Sequence, residues 1–255
     1  MARRWIQTVE EAGTMAKNIG SPPGGGRDVT KRVKTARGRK LSSTRWLQRQ
    51  INDPYVQAAK VEGYRSRAAF KIVQLDDRFK LFSRGQRIVD LGAAPGGWCQ
   101  VARKRIGDRG SVLAVDLLAM EPMAGVECMR LDFTEPDADR IVMDALGGPA
   151  DLVICDMAAP ATGHRPTDHI RIVAMAELAH DFARQVLTPG GGFVVKLLQG
   201  GGETEFLLQV KRDFKQVRFA KPDASRKDSA ESYLVAQGFR GGASPDGDDA
   251  ADDQP

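Results

Sequence analysis

Apolar residues along this chain fall into short continuous runs separated by longer stretches with helical spacing, and most runs are closed by a glycine or an acid. Ile88-Val89, Val112 to Val115, Leu152 to Cys155 and Phe193 to Val195 are such runs. Continuous rather than alternating apolar runs of this length predict strands buried on both faces of a parallel sheet. Strands are expected near 112–116, 128–133, 152–156 and 192–198, after a first strand that Gly85 admits. The segment 42–60 reads as helical pieces broken near Pro54, and Ser66 is placed to cap a helix with Phe70, Val73 and Phe79 on its core side. A further helix covers 204–214, and 216–220 with 233–237 predict a closing antiparallel pair. The expected fold class is therefore α/β, a Rossmann-like, mostly parallel seven-stranded sheet with helices on both faces.

The turn after the first strand carries the most specific chemistry. Residues 90–98 read DLGAAPGGW, a strand, glycine turn and helix start in succession. Gly92, Gly96 and Gly97 let the backbone turn sharply and approach a bound molecule. A dinucleotide fingerprint would read G-x-G-x-x-G, but position 94 is alanine and no P-loop lysine follows. The acidic-Gly-x-x-x-Gly pattern suits S-adenosyl-L-methionine. Asp116 ends the next apolar run, where a carboxylate accepts both ribose hydroxyls of such a cofactor. The plainer reading, a tight turn and an ordinary strand-end acid, accounts for each feature singly but not for their pairing.

Ligands of such sheets bind outside the carboxyl ends of the strands. Asp156 terminates the run 152–155 at that edge. Lys196 interrupts Phe193-Val194-Val195 and Leu197-Leu198, where a buried ammonium without a partner is costly. Its stem either snorkels to solvent or its amine has a task; the acid at the end of the neighbouring strand favours the task.

Charge divides the chain into three expected regions. Residues 1–50 hold twelve Lys and Arg against three acids, whereas 241–255 hold five Asp and no base. Residues 1–41 read as a basic flexible arm that tracks phosphates, 42–240 as the folded domain and 241–255 as an acidic disordered tail. No segment approaches the about 20 apolar residues that span a bilayer, and the amino terminus lacks a secretory apolar core. A cytoplasmic location without membrane contact is expected. Cys99, Cys128 and Cys155 form no C-x-x-C pair, and His164, His169 and His180 share no ligand spacing, so neither disulfide nor metal is assigned.

Taken together, YRSRAAFK at 64–71, DLGAAPGGW, CDMA at 155–158, FVVK at 193–196 and KPDASR at 221–226 resemble the FtsJ/RlmE family of ribosomal RNA methyltransferases. The resemblance runs collinearly over residues 45–238. It implies a methyltransferase fold and a catalytic set of Lys71, Asp156, Lys196 and Glu231. It also implies a cofactor site formed by Gly92, Gly96, Trp98, Asp116, Asp132 near the adenine, and Asp156 near the methionyl end. Where that family continues Asp-Met-Ala-Pro-Asn, this chain has Asp156-Met157-Ala158-Ala159-Pro160, a departure in the loop expected to border the target nucleotide. Phosphate contacts are expected from Arg65, Arg67, Arg226 and Lys227, with the 2′-hydroxyl distinguishing RNA from DNA. By resemblance the substrate is a uridine in the A-loop of 23S ribosomal RNA within the large subunit, and the protein is a monomer that supports late subunit assembly. An RNA-binding assembly factor with secondary catalysis, and a transfer RNA ribose methyltransferase, are the alternatives.

Overall fold

The computed structural model describes residues 41–160, 162–199 and 204–241. Most of the expected basic arm and acidic tail therefore lies outside the described residues.

The apolar runs pair into one sheet built from β1 (Arg87–Leu91), β2 (Ser111–Asp116), β3 (Glu127–Arg130), β4 (Ala150–Cys155), β5 (Leu187–Leu198), β6 (Phe214–Ala220) and β7 (Glu231–Phe239). The spatial order is β3-β2-β1-β4-β5-β7-β6. Strands β1 to β5 pair in parallel, while β7 runs antiparallel to both β5 and β6. The α/β expectation holds, and the last two strands form the expected antiparallel pair. The later strand of that pair is nevertheless the inner one, inserted between β5 and β6.

Seven helices are described: α1 (Leu41–Ile51), α2 (Pro54–Glu62), α3 (Ala69–Phe79), α4 (Gly97–Ile106), α5 (Ala138–Leu146), α6 (Arg165–Val186) and α7 (Thr204–Asp213). Alternating strand residues face opposite layers, as the two-residue period requires. Val89, Leu91, Val153, Phe193 and Val195 pack with α5, α6 and α7 on one face. Ile88, Ala114, Ile154, Val194 and Val235 pack with α3 and α4 on the other.

Pro54 starts α2 rather than merely breaking a helix, because its missing N–H costs nothing at the first helical position. Asp53 caps that helix by accepting the Tyr55 N–H at 3.0 Å. Ser66, by contrast, is not the cap of α3. Ala68 holds the cap position without a side-chain bond, and the Ser66 carbonyl accepts from the Ala69 N–H at 3.3 Å. The Ser66 hydroxyl lies beside Gly97, so backbone turning replaces the expected capping. Phe70, Val73 and Phe79 are buried as the spacing predicts.

Two strand limits differ from expectation. β3 stops at Arg130: the Leu131 N–H makes the last bond of the parallel ladder, to the Asp116 carbonyl at 3.1 Å, and the chain then turns at Asp132, which accepts the Thr134 N–H. β5 starts at Leu187 rather than Gly192, through an irregular stretch where its register against β4 shifts. Pro189 and the glycines that follow hide this start from a reading based on apolar runs.

Candidate active site

Strand parity brings the expected polar residues together. Val194 and Lys196 share one face of β5, and Tyr233 and Val235 share the corresponding face of β7. Glu231 is two positions before Tyr233, and Asp156 two positions after Ile154, so both fall on that same face just where β4 and β5 end. Helix α3 covers this face and carries Lys71. Because β7 is antiparallel, its first residue, Glu231, lies opposite Leu198 at the carboxyl edge of β5.

The resulting cluster is tightly connected. Lys71 Nζ lies 2.9 Å from Glu231 Oε2 and 3.5 Å from Asp156 Oδ2. Lys196 Nζ donates to Asp156 Oδ1 at 3.0 Å and to the Asp156 carbonyl at 2.6 Å. The Tyr233 hydroxyl donates to Asp156 Oδ1 at 2.6 Å, and Ser225 Oγ donates to Glu231 Oε1 at 2.7 Å. Lys71 also sits 5.6 Å from the centroid of the Tyr233 ring, within cation–π range. Lys71 and Lys196 are both only 8% exposed, so two buried cations are balanced by two carboxylates. Removing one member would leave its partner charged and uncompensated, which typically costs about 3–5 kcal/mol.

Burial opposes ionisation of Asp156, but Lys71, Lys196 and the Tyr233 hydroxyl outweigh it and hold the carboxyl below its ordinary range. Burial, then the Asp156 charge, push the Tyr233 phenol well above its usual value, so it remains a donor at neutral pH. The Lys196 question raised by the apolar run is thereby answered: the amine is held by Asp156 instead of snorkelling outward. Such a cluster can orient a hydroxyl by its oxygen and take up its proton without leaving an isolated buried charge.

The glycine turn lies at the same edge. A Cβ on Gly92, whose φ is +68°, would run into the Met157 side chain, and one on Gly96, at φ +103°, would come within 2.6 Å of Met123 Cε. Both positions favour glycine for conformation, and Gly92 also for space, since Met123 Cε at Gly96 is the movable end of a flexible side chain. Asp116 is held at the end of β2: Oδ2 accepts the Ala94 N–H at 2.9 Å and Oδ1 the Leu118 N–H at 2.8 Å. Asp132 accepts the Thr134 N–H and hydroxyl on Oδ1 at 3.0 and 2.6 Å, which lowers its carboxyl range. The turn and these two acids form a cradle whose donor and acceptor set fits an adenosyl cofactor. Trp98 contributes differently: it is buried, its Nε1 donates to the Ala68 carbonyl at 2.8 Å, and its ring packs 5.7 Å from Tyr233.

Of the basic residues expected at phosphates, the structure brings together Arg67 and Arg226. Arg67 Nε lies 3.1 Å and Arg226 Nε 3.8 Å from Asp53 Oδ2, and Arg67 Nη2 donates to the Ala224 carbonyl at 2.6 Å. Lys227 is exposed nearby. Arg65 turns elsewhere. It donates from Nη1 to the Pro95 and Glu121 carbonyls at 3.2 and 2.8 Å and from Nη2 to the Pro122 carbonyl at 2.8 Å. It thus ties the glycine turn to the segment after β2, using three of the five N–H donors of a guanidinium.

Sequence reasoning missed Tyr233, Ser225 and Asp53. The signal for Tyr233 is its two-residue spacing from Glu231 at a strand start; Ser225 lies within the KPDASR motif, which drew attention only to Arg226, and Asp53 offered none beyond its polarity before Pro54.

Comparisons with known proteins show the family of the chain. Residues 64–239 match the model of the FtsJ-like methyltransferase family. A Xanthobacter autotrophicus protein named ribosomal RNA large subunit methyltransferase E is 58% identical over 88% of this chain and 90% of its own length. A protein of the same name from Paramagnetospirillum magneticum is 56% identical over 86% of this chain and 92% of its own. A solved Plasmodium falciparum structure, assigned as a ribosomal RNA methyltransferase, is 26% identical, with a TM-score of 0.63 over 70% of this chain and 100% of that one.

Proposed function

Because this chain belongs to the FtsJ-like methyltransferase family, we propose that it methylates a ribose 2′-hydroxyl of 23S ribosomal RNA, at a uridine of the A-loop in the large subunit, during late subunit assembly. Its methyl donor on this reading is S-adenosyl-L-methionine. The relatives named ribosomal RNA large subunit methyltransferase E support the substrate class. The observation that carries the chemistry is the convergence of Lys71, Asp156, Lys196 and Glu231 on one sheet edge beside the glycine turn.

Gly92, Gly96, Asp116 and Asp132 would hold the cofactor, with Trp98 bracing the turn from beneath. When bound, the cofactor supplies an electrophilic methyl on a sulfonium, which departs with its bonding pair left on sulfur. A ribose hydroxyl is a weak acid and a poor nucleophile, so alignment and proton removal fall to the protein. Alignment at near-attack geometry accounts for about 7–11 kcal/mol of a barrier. Lys196 orients the hydroxyl and, once its amine has released a proton to solvent, takes the hydroxyl proton as the neutral amine; Asp156 fixes the Lys196 amine, and Lys71 with Glu231 position the target and balance charge. Arg67, Arg226 and Lys227 neutralise backbone phosphates of the RNA.

The test is labelled S-adenosyl-L-methionine incubated with large subunits lacking native methylation, beside naked ribosomal RNA and transfer RNA. The expected result is label at one ribose of the large subunit. Single-turnover transfer by Lys196→Ala should fall by about 10²–10⁴-fold, the usual contribution of a positioned acid or base, with cofactor still bound. Cofactor binding without label on any RNA would overturn the reading.

A further inference from the structure

Two clefts of opposite chemistry meet at the loop before β7. The first, of about 410 Å³, opens onto Lys71 and Glu231 and is lined by Arg49, Arg67 and Arg226. The second, of about 1190 Å³, lies beyond Asp228 and Ser229, residues that line both. Its walls are the end of β5, at Leu198 and Gln199, and the first turns of α6, at Ile170, Val173 and Ala174.

The first cleft presents four cations against Asp228 and Glu231, with Asp53 behind the lining paired to Arg67 and Arg226, whereas the second presents Arg165 alone against Asp168, Glu177 and Asp228. A phosphodiester is attracted to the former and repelled by the latter. The second cleft instead offers aliphatic walls for packing and the planar groups of His169 and Arg165 for stacking, with the Glu177 carboxylate and the Gln199 amide as hydrogen-bonding partners. Its volume exceeds the roughly 300–1,000 Å³ of small-molecule pockets, so it suits a length of chain.

We infer that this second cleft receives unpaired nucleobases of the RNA strand whose phosphates lie against Arg49, Arg67 and Arg226. This rests on the RNA methylation reading and adds to it where the bases go. Sequence-specific RNA recognition uses bases splayed from single strands, stacked on side chains and bonded along their edges. A carboxylate accepts from the N–H groups of base edges and excludes phosphate from the same place. The partition fixes the strand's facing: backbone toward the arginines, bases toward α6. A duplex, whose bases are stacked and paired, cannot satisfy it, so the segment next to the methylated ribose must be single-stranded.

The inference is tested with a 4-thiouridine-substituted large-subunit RNA, photocrosslinked to the full chain, with the crosslinked peptides mapped. Crosslinks within residues 165–177 are expected. Ala174→Trp and Ile170→Glu, both at exposed positions of α6, should each raise KM for RNA at least about tenfold, a loss of about 1.4 kcal/mol in binding. kcat and cofactor affinity should stay within about twofold of wild type, a difference well under that same 1.4 kcal/mol. Crosslinks confined to other segments, with KM unchanged in both variants while Arg226→Ala raises it, would overturn the base cleft and leave the methylation reading standing. Capture of a ribosomal protein instead of RNA on 165–177 would likewise overturn it. Failure of the wild-type chain to label any RNA would remove the underlying reading instead.

Discussion

The Tyr233 hydroxyl and the Lys196 amine share one acceptor, Asp156 Oδ1, at 2.6 and 3.0 Å. Tyr233→Phe removes the first bond while leaving the ring that packs on Trp98. Hydrogen bonds to charged groups contribute about 1.5–3 kcal/mol, so kcat should fall about ten- to a hundredfold with cofactor affinity unchanged. Asp156 now ionises below its ordinary value of 3.8 against the pull of burial, helped by Lys71, Lys196 and this phenol. Its stabilising effect is present above that ordinary value and is lost as pH falls through the depressed one. In the variant the acid-side loss of stability should begin at higher pH. Thermal melts from pH 3 to 6, with no upward displacement, would show that the phenol does not support the charged carboxylate.

Asp90, just before the glycine turn, is 1% exposed and accepts the Cys99 thiol at 3.0 Å. Burial pushes its carboxyl up to about 7; the Cys99 bond opposes this, while Asp156 and Asp116 add to it. The folded chain then holds a proton that the unfolded chain has released. Stability from this group is full below the unfolded value of 3.8 and declines as pH rises through about 7. Asp90→Asn keeps an acceptor for Cys99 and should flatten the fall in Tm between pH 4 and 7. A slope equal to that of the parent would contradict the assignment.

Arg65→Ala should act on the cofactor rather than on RNA. The guanidinium joins Pro95 in the glycine turn to Glu121 and Pro122, while the Arg65 backbone N–H, retained in the variant, donates to Gln100 Oε1 at 2.7 Å. Loss of three neutral-acceptor bonds, each contributing about 0.5–1.5 kcal/mol, should weaken cofactor binding by about tenfold or more. Calorimetry with S-adenosyl-L-methionine measures this directly. If the slope of RNA affinity against salt instead fell by about 1, Arg65 would be a phosphate contact after all.

The sheet was legible from sequence because its strands are continuous apolar runs bounded by glycine turns. Asp156 and Lys196 were legible too, since a charge at the end of one buried run and inside another violates the surrounding pattern. Lys71 and Glu231 were not: each sits in an unremarkable local context, and their ion pair spans 160 positions. Only the resemblance named them. The insertion of β7 was invisible for a related reason, as local periodicity identifies a strand but not its neighbours. Arg65 was expected at a phosphate because a surface arginine and a carbonyl-tethering arginine look the same in sequence. Ser66 was expected to cap α3, but the turn before that helix satisfies its own backbone.

The placement of β7 makes the charged cluster depend on a strand inserted between two that precede it in the chain. A nascent chain that has emerged only as far as residue 230 already owns its cofactor turn, Asp156 and Lys196, yet lacks Glu231, Tyr233 and the strand that joins β5 to β6. The place between those strands is taken by a segment that follows both of them in sequence. A chain truncated before residue 231 is therefore expected to keep β1 to β5 yet lose the carboxylate that pairs with Lys71 and the phenol that donates to Asp156.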